Sequence, residues 1–185
     1  MNDDFLYRDV SFFGRRVFRL GLATNYGIEG EDLEWALQEG INYIFWTPNA
    51  RRVKSSLKAA LNRDRESFIL ASGPTTGYFG GSIKRACDRL LRALGTEYLD
   101  VFQLFWLGRT SIWNSSTIDA LVSLKESGKV RAIGISINRW EPWNGVATVR
   151  SGFVYAVQVI YNIFDQNRFK ADIRNEYKDQ DEQEN

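Results

Sequence analysis

Three carboxylates, Glu97, Asp100 and Asp119, offer the material for paired acid–base chemistry, in which one group gives a proton while the other accepts one. Nucleophilic chemistry of the Ser-His-Asp or Cys-His kind is excluded, because the 185-residue chain contains no histidine. A single cysteine, Cys87, rules out an internal disulfide and a cysteine-only metal site, so no metal is expected. Two stretches have the composition of anion sites. Arg51, Arg52 and Lys54 stand where a helix is expected to open, a place where positive charge opposes the helix dipole unless an anion is near. The run GPTTGYFGG at 73–81 is rich in glycine before a helix start, where backbone amides can hold a phosphate. It lacks the Lys-Ser/Thr ending of a phosphate-binding loop, and a solvated basic turn and a flexible loop are the simpler readings of the two.

The elements that would position these groups alternate between strand-like and helix-like runs, the pattern of parallel βαβ units. Val10–Phe18 breaks at Phe13-Gly14 and reads as a short hairpin. Strands are expected at Leu20–Thr24, Tyr43–Trp46, Phe68–Ser72, Leu99–Phe105, Val130–Ser136 and Val154–Tyr161. Helices are expected at Glu31–Glu39, closed by Gly40, and at Ala50–Leu61, Gly81–Leu94 and Thr117–Ser127. Asp100 falls at the start of its strand, the end that serves stability in a βα barrel, and reads as structural. Trp46, Trp106, Trp113, Trp140 and Trp143 fall at strand carboxy ends or in the loops after them, on the functional face of such a barrel. With Phe45, Tyr78, Phe79 and Phe105 they make an aromatic floor. Trp46, Trp106, Trp113 and Trp140 are the candidate apolar-ligand or partner face; the plainer reading is that aromatics fill space where charges would otherwise stand.

Net charge is +1, from 24 basic and 23 acidic residues, so no global field draws the protein to nucleic acid. No apolar run approaches the roughly 18 residues of a membrane helix. The acidic start MNDDFLYRDV lacks the features of a secretory signal, and the expected compartment is the cytoplasm.

Five stretches resemble the aldo/keto reductase family: VFRLGLAT at 17–24, GINYIFWTP at 40–48, RESFILASG at 65–73, LLRALGTEYLDVFQLFW at 90–106, and GKVRAIGIS at 128–136 with VQVIYNIFDQ at 157–166. The resemblance implies an α/β fold, a partial (β/α)8 TIM barrel of about six βα units preceded by a hairpin. A complete barrel takes roughly 250 residues. Residues 1–167 would be the barrel portion and 168–185 a polar C-terminal helix or tail, with open sheet edges through which two copies could pair. Family catalysis uses an Asp, a Tyr proton donor, a Lys and a His at the strand carboxy ends. Carried onto this chain, those positions hold Phe45 (Trp46 with a one-residue slip), Ala50 (or Arg51), Gly73 and Phe105. All four catalytic groups are replaced. Of the family's nicotinamide contacts, Ser136 and Gln158 match, and Asn138 lies one place late. The seventh and eighth strand loops, which grip the cofactor phosphates, have no counterpart.

The resemblance therefore implies a degenerate family member without standard NADPH-dependent carbonyl reduction, keeping weak binding of NADP or of an apolar small molecule. The alternatives are a divergent NADP-dependent oxidoreductase using Tyr78 or Ser72 as proton donor, and an interaction protein that pairs through open barrel edges.

Overall fold

The computed structural model describes residues 3–137 and 142–160. A short helix α1 (Asp3–Leu6) leads into an antiparallel hairpin, β1 (Tyr7–Val10) and β2 (Arg15–Phe18), joined by a 3-10 turn at Ser11–Phe13. Six strands follow: β3 (Leu22–Ala23), β4 (Tyr43–Phe45), β5 (Ile69–Ser72), β6 (Leu99–Leu107), β7 (Val130–Ile137) and β8 (Ala156–Gln158). They pair in parallel, each with its neighbour in sequence, and curl into a half-barrel. The crossovers carry α2 (Gly30–Gln38), α3 (Lys54–Arg63), α4 (Gly80–Leu94), α5 (Ser115–Glu126) and α6 (Pro142–Arg150).

Alternation along the strands sorts side chains into two layers. Ile44, Trp46, Leu70, Phe102, Leu104 and Ile133 face the helices, where they meet Leu57 and Leu61 of α3, Ile83, Cys87, Leu90, Leu91 and Leu94 of α4, and Leu121 of α5. The α4 residues recur at helical spacing, and each such burial contributes roughly 1.5–3 kcal/mol. Gly95 ends α4 at φ +69, a left-handed turn in which its amide and that of Thr96 both return to the Leu91 carbonyl. The other parity faces the inside of the half-barrel. There Ile69, Ala71, Val101 and Ala132 pack with Tyr43, Phe45, Ala156, and Phe13 and Val17 of the hairpin.

The hairpin is tied to the amino ends of the strands. The Asn42 side chain accepts from the Phe18 amide and donates to the Arg16 carbonyl, both at 2.9 Å. Arg15 donates to the Glu66 and Phe68 carbonyls and to the Glu66 carboxylate. Behind it, buried Asp100 accepts from Arg65 at 2.7 Å, Arg131 at 3.2 Å and the Leu70 amide at 2.9 Å. The Tyr98 ring lies between the two guanidiniums, 3.8 Å from each, and its hydroxyl donates to Glu66. These groups stand at the amino ends of the strands and connect four segments of chain, as the structural reading of Asp100 expects.

Several boundaries differ from the sequence expectation. The second helix starts at Lys54 rather than Ala50, because Thr47, Asn49 and Arg51 accept short-range turn bonds from Ala50, Arg51 and Lys54. The first strand shrinks to Leu22–Ala23, and the sixth to Ala156–Gln158. Helix α6 had no counterpart in the sequence reading. It places Trp143 in a first helical turn rather than in a loop, and its Gly145 lies where a Cβ would meet the Ile137 side chain at 2.0 Å. Asn138, Trp140, Tyr161 and the 168–185 tail lie outside the described residues. Among the described residues no helix is long and apolar enough to cross a membrane.

Candidate functional site

The interior parity that carries Val101 on β6 continues to Gln103 and Phe105, and on β7 runs from Ala132 through Gly134 to Ser136. Phe45, Phe105, Ser136 and Gln158, singled out on the sequence, therefore share one face. Phe45 and Phe105 meet edge to face, with ring centroids 5.6 Å apart and planes at 72°. Gly73 lies beside them, and a Cβ added to it would sit 1.9 Å from the Gln103 carbonyl oxygen and 3.0 Å from Cζ of Phe105. No side chain enters the barrel from position 73 without displacing β6 backbone. Ala50 is buried and its carbonyl accepts from the Trp46 indole at 3.2 Å, so this corner belongs to the core.

Below the aromatic pair is a cavity of about 270 Å³ lined by Gly21, Leu22, Tyr43, Phe45, Gln103 and Gln158, among others. Its polar groups are few and engage one another: the Gln103 amide donates to Gln158. Ser136, buried at the end of β7, accepts from the Trp106 amide at 3.4 Å. Tyr43 is the tyrosine of this wall. Burial, and secondarily the Asp100 charge, push its hydroxyl up to about 12. A proton donor for carbonyl reduction needs the opposite shift, toward neutrality. Gln103 and Tyr43 were not picked out from the sequence; the signal available was their two-residue spacing from Phe105 and Phe45.

The other candidates scatter. Trp46 is 1% exposed and packs in the helix-facing core, whereas Trp106 is half exposed with the Arg109 guanidinium 5.6 Å above its ring. Trp113 packs beside Leu107 and Ile137, and its indole N–H has no partner among the described residues. Of the four ligand-face tryptophans, Trp106 therefore presents a face to solvent, Trp46 does not, and Trp140 is outside the described residues. Trp106 also holds φ +43 at a bulge in β6, a left-handed conformation costly for a residue with a Cβ. Tyr78, at the surface, donates its hydroxyl to the Arg109 carbonyl. Ser72 is fully buried, its hydroxyl unpartnered among the described residues.

The two anion readings also separate. In the 73–81 loop the Gly77 amide donates to Thr110 and the Gly80 amide to the Ser116 hydroxyl, so these amides hold neighbouring loops together. Arg52 pairs with Glu29, while Arg51 and Lys54 line a different cavity with Arg89 of α4. Cys87 is buried, which pushes its thiol up to about 12 and leaves it inert at neutral pH. Among the described residues no three His, Cys, Asp or Glu side chains stand close enough to hold a metal.

The sequence matches the model of the aldo/keto reductase family over residues 26–181. The chain belongs to the aldo/keto reductase family. It is 28% identical over 172 residues to the uncharacterized oxidoreductase YqkF of Bacillus subtilis, covering 85% of this chain and 54% of that protein. To the aldo-keto reductase YhdN of the same organism it is 25% identical over 190 residues, covering 86% and 55%. The chain thus spans about half the length of these curated relatives. Among solved structures, an aldo-keto reductase from Klebsiella pneumoniae in complex with NADPH superposes with a TM-score of 0.62 at 25% identity, over 79% of this chain and 55% of that one. Complete aldo-keto reductases are (β/α)8 barrels, of which the six described strands form a part.

Proposed function

We propose that this aldo/keto reductase family chain is degenerate, without standard NADPH-dependent carbonyl reduction, and that its half-barrel interior retains weak binding of a nicotinamide nucleotide or an apolar small molecule. The observation that carries the reading is at Gly73. The position that the family resemblance gives to the lysine is closed by the Gln103 carbonyl oxygen, 1.9 Å from any Cβ. The facing positions hold an interlocked pair of phenyl rings. A polarised carbonyl needs a nearby acid as charge develops on its oxygen. Tyr43, the cavity's hydroxyl, holds its proton too tightly to serve.

The residues left in place suit the carboxamide end of a nicotinamide. The Gln103–Gln158 amide pair offers a donor and an acceptor in an apolar cavity, and Ser136 stands in register with Gln158 on the neighbouring strand. Asn138 remains part of this proposed set. A cavity of about 270 Å³ lies below the usual range for whole ligands, so the ring end is held and the rest of the nucleotide is left outside. A bound nucleotide would carry a hydride that this cavity has no proton donor to use; the chain would supply orientation by Gln158 and Ser136 and exclusion of water by Phe45 and Phe105. Affinity is limited because Gln158 must first part from Gln103.

Titration of the protein with NADPH, followed by tryptophan fluorescence, tests this. Saturable quenching that is reversed by NADP and weakened in Gln158→Ala supports it. No response up to millimolar nucleotide, in protein that unfolds cooperatively, would leave a folded relic without nucleotide binding.

A second reading, an interaction protein that pairs through its sheet edges, is favoured by the apolar exposure along and beside β8. Tyr155, Val157, Val159 and Ile160 are 41–50% exposed there. Such edges invite strand pairing. A mass measurement at micromolar concentration separates the readings, and a strict monomer would count against pairing.

A further inference from the structure

Outside the half-barrel, between α3 and α4, is a second cavity, of about 510 Å³. It shares no lining residue with the interior cavity. Its deeper wall is apolar and buried: Trp46, Pro74, Ala86 and Leu90. Its mouth carries Arg51, Lys54 and Arg89, all exposed. No lining residue is acidic, and none of the three cations forms an ion pair or a side-chain hydrogen bond among the described residues. On the same stretch of chain, Arg52 and Arg63 point to carboxylate partners, Glu29 and Glu34. Helix α3 adds to the field, since Val53 supplies no capping side chain and its first turn contains no acid.

Three like charges and a bare helix amino terminus around one apolar recess are unfavourable to one another unless an anion joins them. We propose that this cavity binds a small organic phosphate, its planar or apolar body on the Pro48 and Ala93 side of the recess and its dianion among Arg51, Lys54 and Arg89. Two guanidiniums and an ammonium match the charge of a phosphate monoester and carry the donors that such a dianion accepts from. The volume suits a ligand of one ring with substituents. Gly73 and two alternative placements of the substituted catalytic positions, Trp46 and Arg51, border this cavity, but the inference uses no catalytic role of theirs and none of the residues proposed for nicotinamide binding.

Isothermal titration of the full chain with phenyl phosphate in low salt provides the test. The expected result is one saturable site with a dissociation constant below about 1 mM. Inorganic phosphate, lacking the ring, competes more weakly, and raising the salt weakens binding because exposed cations are screened. The exposed double substitution Arg51→Gln/Arg89→Gln raises the dissociation constant about tenfold or more. Gln158→Ala, in the interior cavity, leaves it unchanged. Absence of saturable binding up to about 10 mM, in a protein that unfolds cooperatively, overturns the proposal. So does affinity indifferent to the double substitution, and so does affinity lost in Gln158→Ala, which would move the ligand into the half-barrel.

Discussion

Substituting Gly73 by alanine should be among the most damaging one-carbon changes in this protein. The added methyl would sit 1.9 Å from the Gln103 oxygen, 3.0 Å from the Gln103 carbonyl carbon and 3.0 Å from Cζ of Phe105. Only the ring can turn away. The carbonyl belongs to β6, which is hydrogen-bonded to β5 on one side and β7 on the other, so relief requires a backbone shift in the middle of the sheet. Overpacking of this kind costs about 3 kcal/mol. For a domain of this size that corresponds to a fall of about 10 °C in Tm. Denaturant titration measures it directly, since the loss appears as a lower midpoint at unchanged slope. Phe105→His in the same background removes the ring contact and recovers only a minor part, because the carbonyl remains. If Gly73→Ala unfolds within about 0.5 kcal/mol of wild type, the closure of the lysine position is not real. The strongest support for lost chemistry would go with it.

Three further predictions concern stability. Asp100→Ala strands Arg65 and Arg131 at the closed end and should cost about 3–5 kcal/mol; a loss under about 1 kcal/mol in denaturant would show that the pair is solvated. Glu66 accepts from Tyr98, Arg131 and Arg15, with the Tyr98 bond first in effect, and these hold its carboxyl down at about 2. Because the folded value is depressed, its contribution is complete above the ordinary carboxylate range and is lost as pH falls toward about 2. Screening of this largely exposed group limits the contribution to about 1 kcal/mol, and Glu66→Gln should remove that part of the acid transition; identical pH profiles would disprove it. Trp106→Gly exchanges a left-handed tryptophan for the residue that tolerates φ +43, and should stay within about 1 kcal/mol of wild type. Trp46→Gly, from the core, should lose about 4 kcal/mol; equal damage from both would contradict the strain at Trp106.

The six parallel strands were legible because each carries an apolar run of the right length between a helical pattern and a turn, with Gly95 and Gly128 marking two helix ends. Where the pattern is short or mixed, boundaries moved. Ala50–Val53 looks helical by composition, yet Pro48 and the Asn49 turn delay the helix to Lys54. Helix α6 was hidden because GVATV after Pro142 has no amphipathic spacing. The interior face was legible from period-two alternation, and Phe45, Phe105, Ser136 and Gln158 do share it. Trp46 misled: a strand-end tryptophan of the opposite parity belongs to the helix layer, and counting parity from Phe45 would have placed it there. The closed corner at Gly73 was not legible, since it depends on β5 approaching the Gln103 carbonyl, a distance that no residue type announces. Arg89 joins Arg51 and Lys54 only through helix packing, across 35 residues of chain.

The account turns on whether carbonyl reduction is absent, and NADPH consumption by the full chain against a panel of aldehydes and ketones tests this most directly. The expected rate does not exceed that of NADPH with substrate alone, at any pH between about 5 and 9, because no side chain in the cavity gives up a proton there. Steady NADPH oxidation that disappears in Ser72→Ala or Tyr78→Phe would contradict the account and identify a divergent reductase with a different proton donor.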